Sequence, residues 1–577
     1  MKKRFLSLIL ILAAVWTLSA APAYKGRIIR TQPDGSTIVT YLHGDEFGHW
    51  VTDESGTVLE QDEDGWWRPS FSVSPQAISQ QAGLRRAAAN RHRRAAAQSS
   101  NNFGSPLIPV ILLGFKDKAF SKSATDFDAM LNKEGYSANS AVGSVYDYFK
   151  ENSQGAFTPH FEVLGPVRLD TTMAYYGANN YWGDDQRPEM ALVHAVKKLD
   201  EEVDFSRYDN DGDGQVDFIM FYFAGFDEAQ GGSTNCIWSH AWSLSNSSNA
   251  WNQREYDGVY IEDYFCTAEL YGSSGTRQCR IGTTCHEFSH TLGLPDFYDA
   301  DYSSNGTSAN TYSYDLMSDG SYNADSTTPP YLNAEEVWEI GWLSSIPEIT
   351  ETGPVNIGAV NYPGASSYSA RKLPAATSGE YFIFEVRGGE RWDAPLREGM
   401  LIYHVDRSSG HISAWDDNTV NCYSSHPCCY LIPATNPTSL SYFDYRQDEL
   451  IWPRSGVTSY VPTDWNGANT EWFVDGITYA NGRASWEVKT TRSMEATGYS
   501  YIADPGEGNY HAGDSFPLTL VAATGDKAPA GTIQWSLDGD PVSGTSVTLP
   551  AGRHTLEASF TTSKGTTKKI SLDLDVH

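Results

Sequence analysis

The pattern of hydrophobic and polar positions changes several times along the chain. Residues 31–67 alternate short runs of β-branched and aromatic residues with Asp-Gly and Ser-Gly pairs, which predicts a small β-rich unit. The run SPLIPVILLGF (105–115) has the continuous apolar character of a buried strand. It is followed by FDAMLNKEG and GSVYDYFKENSQG, where apolar residues recur at helical spacing. This order predicts an α/β unit over residues 101–345.

The second half of the chain is patterned as β-structure. EYFIFEVR (380–387) and GMLIYHVD (399–406) are strand-length runs rich in aromatic and β-branched residues, which predicts a β-sandwich over 346–495. Residues 496–577 hold further strand-length segments separated by turn signals, as expected of an immunoglobulin-like domain. The fold class predicted is therefore a multidomain α+β protein, which the length of 577 residues also favours.

The first residues have the pattern of an export signal. Met1–Arg4 are largely basic, an apolar run extends from Phe5 to about Trp16, and small residues follow near Ala20–Ala23. A membrane anchor is the alternative, but the run is shorter than the ~20 residues that a span requires. We therefore expect residues 1–23 to be a signal peptide, and the mature protein to be secreted without a transmembrane segment.

A basic segment, LRRAAANRHRRAAAQSSNN (84–102), interrupts a chain whose formal net charge is −31. A solvated basic helix or a nucleic-acid patch are the alternatives to a linker. The overall negative charge and the export signal argue against a nucleic-acid partner, because phosphate binding depends on Lys and Arg. We favour a protease-accessible linker, so residues 24–100 are predicted to form a propeptide that ends in this linker.

The cysteine pattern does not predict a structural framework. The seven cysteines are too few and too irregular for a disulfide scaffold, and none has CxxC zinc-site spacing. Export would allow a pair such as Cys266 with Cys279. The odd number leaves the connectivity open.

The segment HEFSHTLGLPDFYD (286–299) carries the chemistry that is easiest to interpret. On a helix, His286 and His290 project from one face a turn apart, so both imidazoles can reach one zinc ion. Glu287 lies beside the metal, where its carboxylate can take a proton from a zinc-activated water and pass it to the leaving amine. The motif predicts a hydrolytic zinc site with Glu287 as its base.

A catalytic zinc needs a third protein ligand and an open position. No Glu occurs from Thr291 to Ala334, which argues against a ligand from a helix shortly downstream. Gly293 can reverse the chain cheaply because glycine tolerates positive φ, and Asp296 then follows at the ligand position. We expect Asp296 to be the ligand, while three other carboxylates remain alternatives: Asp299, Glu335 and Glu336.

The pattern HExxHxxGxxD, followed by Met in the turn YDLMSDG (314–320), resembles the metzincin zinc peptidases, with Met317 as the Met-turn residue under the site. The same segments resemble the immune inhibitor A-like family of secreted bacterial metallopeptidases, together with IPVILLGFKD, SVYDYFKENSQGAF, DNDGDGQVDFIMFYFAG and EIGWL. The resemblance covers roughly residues 105–430. It implies a metzincin-like α/β catalytic domain and a secreted zinc endopeptidase made as a zymogen.

A second metal is suggested by YDNDGDGQVD (208–217). Its acidic residues have the spacing of an EF-hand-type loop with a glycine at the bend, and carboxylate oxygens are the ligands that calcium prefers. Position twelve of an EF-hand loop is normally an acidic residue that binds calcium through both oxygens, but here it is Met220. An Asx-rich turn without calcium is therefore the alternative interpretation of this segment. The calcium ligands predicted are Asp209, Asp211, Asp213 and Asp217.

The functional prediction is a zinc-dependent endopeptidase that acts on proteins or peptides. The rival hypothesis is a secreted adhesin on a disabled peptidase scaffold, with the immunoglobulin-like tail contacting a surface or a host protein. Retention of Glu287 favours the enzyme, because a binding protein has no use for a general base beside two zinc-spaced histidines.

Overall fold

The computed structural model describes most of the chain from residue 22 to residue 577. The residues it does not describe within that span are 63, 73, 83–101, 181, 301–305, 361–368, 436, 438–446, 455, 491–500, 503–509, 522–528, 563, 564 and 566. The signal peptide, apart from its last two residues, and almost all of the basic linker therefore lie outside the described residues. The rest is a mixed α/β protein rich in β-sheet, so the prediction of a multidomain fold with both element types is confirmed.

The N-terminal unit is an antiparallel sheet of five strands in sequential order. Asp-Gly and Ser-Gly pairs close its turns, and Gly35 and Gly56 have the positive φ that such turns require. Residues 75–82 then form helix α1. The strands are β1 (Ile28–Thr31), β2 (Thr37–Asp45), β3 (Gly48–Thr52), β4 (Val58–Gln61) and β5 (Trp67–Pro69).

The next unit is built on a five-stranded sheet in the order β10-β13-β9-β6-β7, in which only β10 is antiparallel to its neighbour. Both faces are covered, because Val110 and Leu112 of β6 belong to one core while Ile111 and Leu113 belong to the other. This explains the continuous apolar run in the sequence. The strands are β6 (Leu107–Gly114), β7 (His160–Arg168), β8 (Gln215–Val216), β9 (Met220–Phe226), β10 (His240–Ser243), β11 (Glu255–Tyr256), β12 (Val259–Ile261) and β13 (Asp263–Leu270).

The helices of this unit begin where capping residues stand. Ser123, Ser144 and Asn333 each form a capping box with the acidic residue three positions later. The helices are α2 (Ala124–Asn132), α3 (Val145–Asn152), α4 (Met173–Gly177), α5 (Glu189–Leu199), α6 (Ile281–Thr291), α7 (Asn323–Ser326) and α8 (Ala334–Ile340).

The following β-rich unit consists of a three-stranded sheet, β14-β20-β19, and a four-stranded sheet, β15-β16-β17-β18. Phe382 and Ile402 of the four-stranded sheet pack toward the other sheet, whereas Ile383 and Leu401 pack into the core of the α/β unit. One sheet therefore joins the two units. The elements are β14 (Gly353–Gly358), β15 (Arg371–Pro374), β16 (Glu380–Arg387), β17 (Gly399–Asp406), α9 (Ile412–Asp416), β18 (Cys429–Leu431), α10 (Gln447–Leu450), β19 (Trp472–Ala480) and β20 (Arg483–Thr490).

The C-terminal segment is all β-structure with an apolar core of its own. Its largest sheet is antiparallel, in the order β25-β24-β27-β28. Its strands are β21 (Tyr501–Ile502), β22 (Ser515–Pro517), β23 (Leu520–Val521), β24 (Pro529–Leu537), β25 (Asp540–Val542), β26 (Ser546–Thr548), β27 (Gly552–Thr562) and β28 (Thr567–Val576).

Two further observations concern the cysteines and the length of the apolar helices. All seven cysteines lie in the described part of the chain, and each is a buried free thiol, so Cys266 and Cys279 are not paired. Among the described residues, no helix combines the length and apolar character needed to cross a membrane.

Candidate metal centre

Helix α6 carries the HExxH motif and is held on the central sheet by its apolar face. Phe288 stacks on Phe265 of β13 with ring centroids 5.1 Å apart, and it meets Phe149 of α3 edge-on at 4.8 Å. At the start of the helix, a Cβ on Gly282 would lie 2.0 Å from the carbonyl oxygen of Ser321. Glycine is therefore required there, because it lets the turn after Met317 approach the helix closely.

Three side-chain atoms converge beside this helix. The Nε2 atoms of His286 and His290 lie 3.2 Å apart, and Oδ1 of Asp296 lies 3.3 Å from each of them. The three residues are at most 1 % exposed. Ligands about 2.0–2.1 Å from a tetrahedral zinc ion are separated by about 3.3–3.4 Å, so the spacing fits one zinc ion.

The hydrogen bonds on the far sides of the rings fix which nitrogen carries the proton. Nδ1 of His286 donates to the carbonyl oxygen of Leu316 at 2.9 Å, and Nδ1 of His290 donates to that of Leu294 at 2.8 Å. In the neutral tautomers, both Nε2 lone pairs then point inward. Oδ1 of Asp296 is buried and has no hydrogen-bond partner. Three lone-pair atoms therefore face one point, and no hydrogen-bond donor lies between them. Such an arrangement can coordinate a cation.

Asp296 reaches the histidines because the chain reverses after α6. Gly293 has φ of +103°, and its N–H bonds to the carbonyl oxygen of His290. Burial alone would raise the pKa of the Asp296 carboxyl, but His290 and His286 outweigh it and hold that pKa below its usual range. The turn predicted from the glycine is present, and it ends with a carboxylate against both imidazoles.

The alternative ligands have other contacts. Asp299 accepts a hydrogen bond from the Ser308 N–H at 2.8 Å. Glu335 forms an ion pair with Arg407, and Glu336 caps α8 through the N–H of Asn333. Within the described residues, none of these three carboxylates joins the cluster of His286, His290 and Asp296.

Glu287 is fully buried on α6, between the two histidines in sequence. Met317 is also fully buried, and its carbonyl oxygen accepts a hydrogen bond from the N–H of Phe297, next to Asp296. The carbonyl that orients His286 belongs to Leu316, so the turn containing Met317 contacts the cluster through the residue before Met317. Burial and the carboxylates of Asp227 and Glu287 raise the pKa of Tyr322.

The start of the N-terminal unit contacts the turn beside this cluster. The Tyr322 hydroxyl donates to the carbonyl oxygen of Pro22 at 2.7 Å, and Tyr24 meets the Tyr322 ring edge-on at 5.6 Å. Lys25 forms a 2.7 Å ion pair with Asp319. Residues 22–25 therefore lie against the same turn that approaches α6.

A second group of contacts joins the N-terminal sheet to residues 228–238. His49 Nε2 lies 3.0 Å from Oε1 of Glu228, and its ring stacks on Trp238 at 4.3 Å. Burial would lower the pKa of His49, but Glu228 outweighs burial and raises it. The Tyr24 N–H bonds to the carbonyl oxygen of Ala229 at 2.9 Å. The interface is therefore buried, and both polar and aromatic contacts contribute to it.

The acidic loop before β9 brings three of its four predicted ligands together. Carboxylate oxygens of Asp209, Asp211 and Asp217 lie within 4.8 Å of one another. Asp213 is outside this group, and its carboxylate accepts from the backbone and side-chain nitrogens of Gln215. The grouped carboxylates also accept backbone N–H bonds within the loop. Burial raises the pKa of Asp217, and Asp211 raises it further.

Sequence analysis missed one side chain that contacts the cluster directly. Asn418, from the β-rich unit, donates from Nδ2 to Oδ2 of Asp296 at 2.6 Å. It also accepts from the Asp296 N–H at 2.5 Å. No sequence signal marks Asn418, because it lies 122 residues from Asp296 in an unremarkable Asp-Asn-Thr turn segment.

Comparison with known proteins is consistent with this geometry. Residues 116–336 match the family described as immune inhibitor A peptidase M6, catalytic domain. Immune inhibitor A of Bacillus thuringiensis subsp. alesti is 28% identical over 208 residues, which cover 32% of this chain and 29% of the relative.

A second relative is the pre-pro-metalloprotease PrtV of Vibrio cholerae serotype O1 (strain M66-2). It is 25% identical over 223 residues, which cover 34% of this chain and 23% of the relative. The match thus spans less than a third of the length of either curated relative. The resemblance noted in the sequence is confirmed for the segment that carries the metal cluster, because residues 116–336 match the catalytic-domain model of immune inhibitor A peptidase M6.

Proposed function

We propose that this chain is a secreted, zinc-dependent metalloendopeptidase made as a zymogen, with protein or peptide substrates. The observation that carries the proposal is the triangle of acceptor atoms from His286, His290 and Asp296, with sides of 3.2–3.3 Å. Glu287 lies on the same helix. The match of residues 116–336 to a peptidase family supports this function independently of the geometry.

His286, His290 and Asp296 would hold the zinc, and Met317 would lie in the turn below it. Zinc in such a site supplies a Lewis acid that polarises a peptide carbonyl and makes a water molecule more acidic. Two neutral imidazoles and one carboxylate leave a coordination position open, as catalytic zinc sites require. The backbone carbonyls of Leu316 and Leu294 orient the imidazoles through Nδ1.

Glu287 would carry the proton transfers. Its carboxylate takes a proton from the attacking water and later gives it to the nitrogen of the leaving amine, so one residue serves both halves of the hydrolysis. Burial of Glu287 supports this role, because a carboxylate shielded from bulk water holds the transferred proton close to the reacting atoms.

The N-terminal unit is proposed to be the inhibitory propeptide, covering residues 24–100 with its basic linker. Support comes from the contacts of Pro22, Tyr24 and Lys25 with the turn at 319–322, next to α6. The buried pair of His49 and Glu228 holds the sheet in place. Removing this unit would uncover the surface of Tyr322, so the propeptide is expected to limit access to the site.

Activation of the full-length chain tests this proposal. Limited trypsin digestion should cut the arginine-rich linker, and N-terminal sequencing should place the new terminus between about Arg85 and Pro106. Hydrolysis of casein should then appear. A zinc chelator should abolish it and added zinc should restore it, because the site depends on the metal.

A variant with five linker arginines changed to Gln serves as the control and should resist activation: Arg85, Arg86, Arg91, Arg93 and Arg94. A fully active form that still begins near Tyr24 would contradict the zymogen. Cleaved protein that binds no zinc and hydrolyses nothing would favour the adhesin.

A structural calcium site is proposed at Asp209, Asp211 and Asp217. The proximity of three carboxylates supports it, because a bound cation would offset the repulsion between their charges. The fourth sequence candidate, Asp213, contacts Gln215 and is given no primary role. Weak extracellular calcium sites have dissociation constants of about 10⁻⁴–10⁻³ M.

Calcium should therefore raise the melting temperature of zinc-saturated protein. At ten times the dissociation constant the gain is about 1.4 kcal/mol, which corresponds to roughly 3–6 °C for a domain of this size. Asp211→Ala should abolish the rise, and Asp213→Ala, in the same loop, should keep most of it. A rise that persists in Asp211→Ala would reduce the loop to an Asx-rich turn.

Export through residues 1–23, an extracellular location and an immunoglobulin-like tail remain proposals. The antiparallel sheet β25-β24-β27-β28, with its own core, supports a separate C-terminal module. A contact of this module with a surface or a host protein is its proposed role.

A further inference from the structure

Asn418 lies outside the family-matched segment, on the β-rich unit, between α9 and β18. Its side chain is 1 % exposed, and its backbone adopts φ of +54°. Asn tolerates this left-handed conformation better than most residues. A buried amide in a strained backbone conformation needs a compensating contact, and that contact is with Asp296.

Asn418 and Asp296 form two hydrogen bonds, and only one of the two carboxylate oxygens of Asp296 takes part. The Asp296 N–H donates to Oδ1 of Asn418, while Nδ2 of Asn418 donates to Oδ2 of Asp296 at 2.6 Å. Oδ2 is thereby occupied. Oδ1 is left facing the two imidazoles at 3.3 Å each. The amide thus fixes both the position of the residue and the rotation of its carboxylate.

Hydrogen bonds and an aromatic contact hold the segment that carries Asn418 in place. The Trp415 indole N–H donates to the carbonyl oxygen of Asp406 at 2.8 Å, and the Trp415 ring packs edge-on against Phe297 at 5.5 Å. Asn421 donates to the carbonyl oxygens of Phe297 and Cys429. Two asparagines of the β-rich unit therefore hydrogen-bond to consecutive residues of the α/β unit, Asp296 and Phe297.

We infer that Asn418 is a positioning residue for Asp296, so that the β-rich unit completes the metal centre of the catalytic domain. The inference rests on the proposed zinc site. Outer-shell groups that orient a metal ligand typically contribute about 10–100-fold to metal affinity. A free carboxylate at position 296 would rotate and present either oxygen, and the affinity for zinc would fall accordingly.

The test uses the full-length chain with Asn418→Gly, which keeps the backbone conformation and removes the amide. Zinc affinity, measured by competition with a chromophoric chelator, should weaken about 10–100-fold. The absorption spectrum of the cobalt-substituted protein should change, because the ligand field depends on how the carboxylate is oriented. Asn481→Gly is the matched control: Asn481 is an exposed, left-handed Asn in the same unit, with φ of +52°. It should leave affinity and spectrum unchanged.

Asn418→Asp is the second variant, and it tests the role of Asn418 if the glycine variant does not fold. It keeps the shape but places an oxygen against Oδ2 of Asp296, so its zinc affinity should also fall. Wild-type affinity and an unchanged cobalt spectrum in a folded variant would overturn the inference. Failure of the wild-type chain itself to bind zinc would instead overturn the proposed function.

Discussion

Glu287→Ala is expected to reduce peptide hydrolysis by about 10²–10⁴-fold, the usual contribution of a general acid–base group. Zinc content should stay close to that of the wild type, because Glu287 lies outside the triangle of acceptor atoms. Glu287→Gln, which keeps the size of the side chain, should give the same loss. The measurements are casein hydrolysis by the processed protein and zinc content of the same samples.

Glu201→Ala, at an exposed glutamate of the α/β unit, is the control and should change neither quantity. Undiminished hydrolysis in both Glu287 variants would contradict the mechanism. Loss of zinc from Glu287→Gln, with the fold intact, would instead make Glu287 a ligand.

Asp296→Ala is expected to remove zinc as well as activity. The substitution deletes one of three ligands, so zinc affinity should fall by more than the about 10–100-fold typical of outer-shell changes. The processed protein should lose hydrolysis in parallel, and excess zinc should restore only part of it. Zinc titration and casein hydrolysis measure the two effects.

Asp299→Ala provides a matched control, because Asp299 is a buried aspartate in the same loop that accepts from Ser308. Its zinc affinity should stay near that of the wild type. Retention of zinc by Asp296→Ala and its loss from Asp299→Ala would move the third ligand to Asp299. Retention by both would direct attention to Glu335 and Glu336.

Much of the fold could be predicted from local patterns. The apolar run before residue 115 corresponds to β6, and the helically spaced apolar residues of FDAMLNKEG and GSVYDYFKENSQG fall on α2 and α3. The acidic loop was less predictable. Its spacing suggested four equivalent carboxylates, but Asp213 lies outside the group that Asp209, Asp211 and Asp217 form. Side chains in a turn have nearby backbone amides as partners, so the spacing alone does not fix where each carboxylate lies.

The sequence by itself determined the spacing of His286, Glu287 and His290 and the glycine that turns the chain toward Asp296, because helical periodicity and positive φ are local properties. Only the tertiary structure decided what surrounds them. The four-stranded sheet β15-β16-β17-β18 buries both faces, and the segment between its strands β17 and β18 brings Asn418 to Asp296 across 122 residues. The contacts of Pro22 with Tyr322 are equally remote in sequence. Such contacts depend on how separate units pack, and hydrophobic patterning within one segment does not specify its partner.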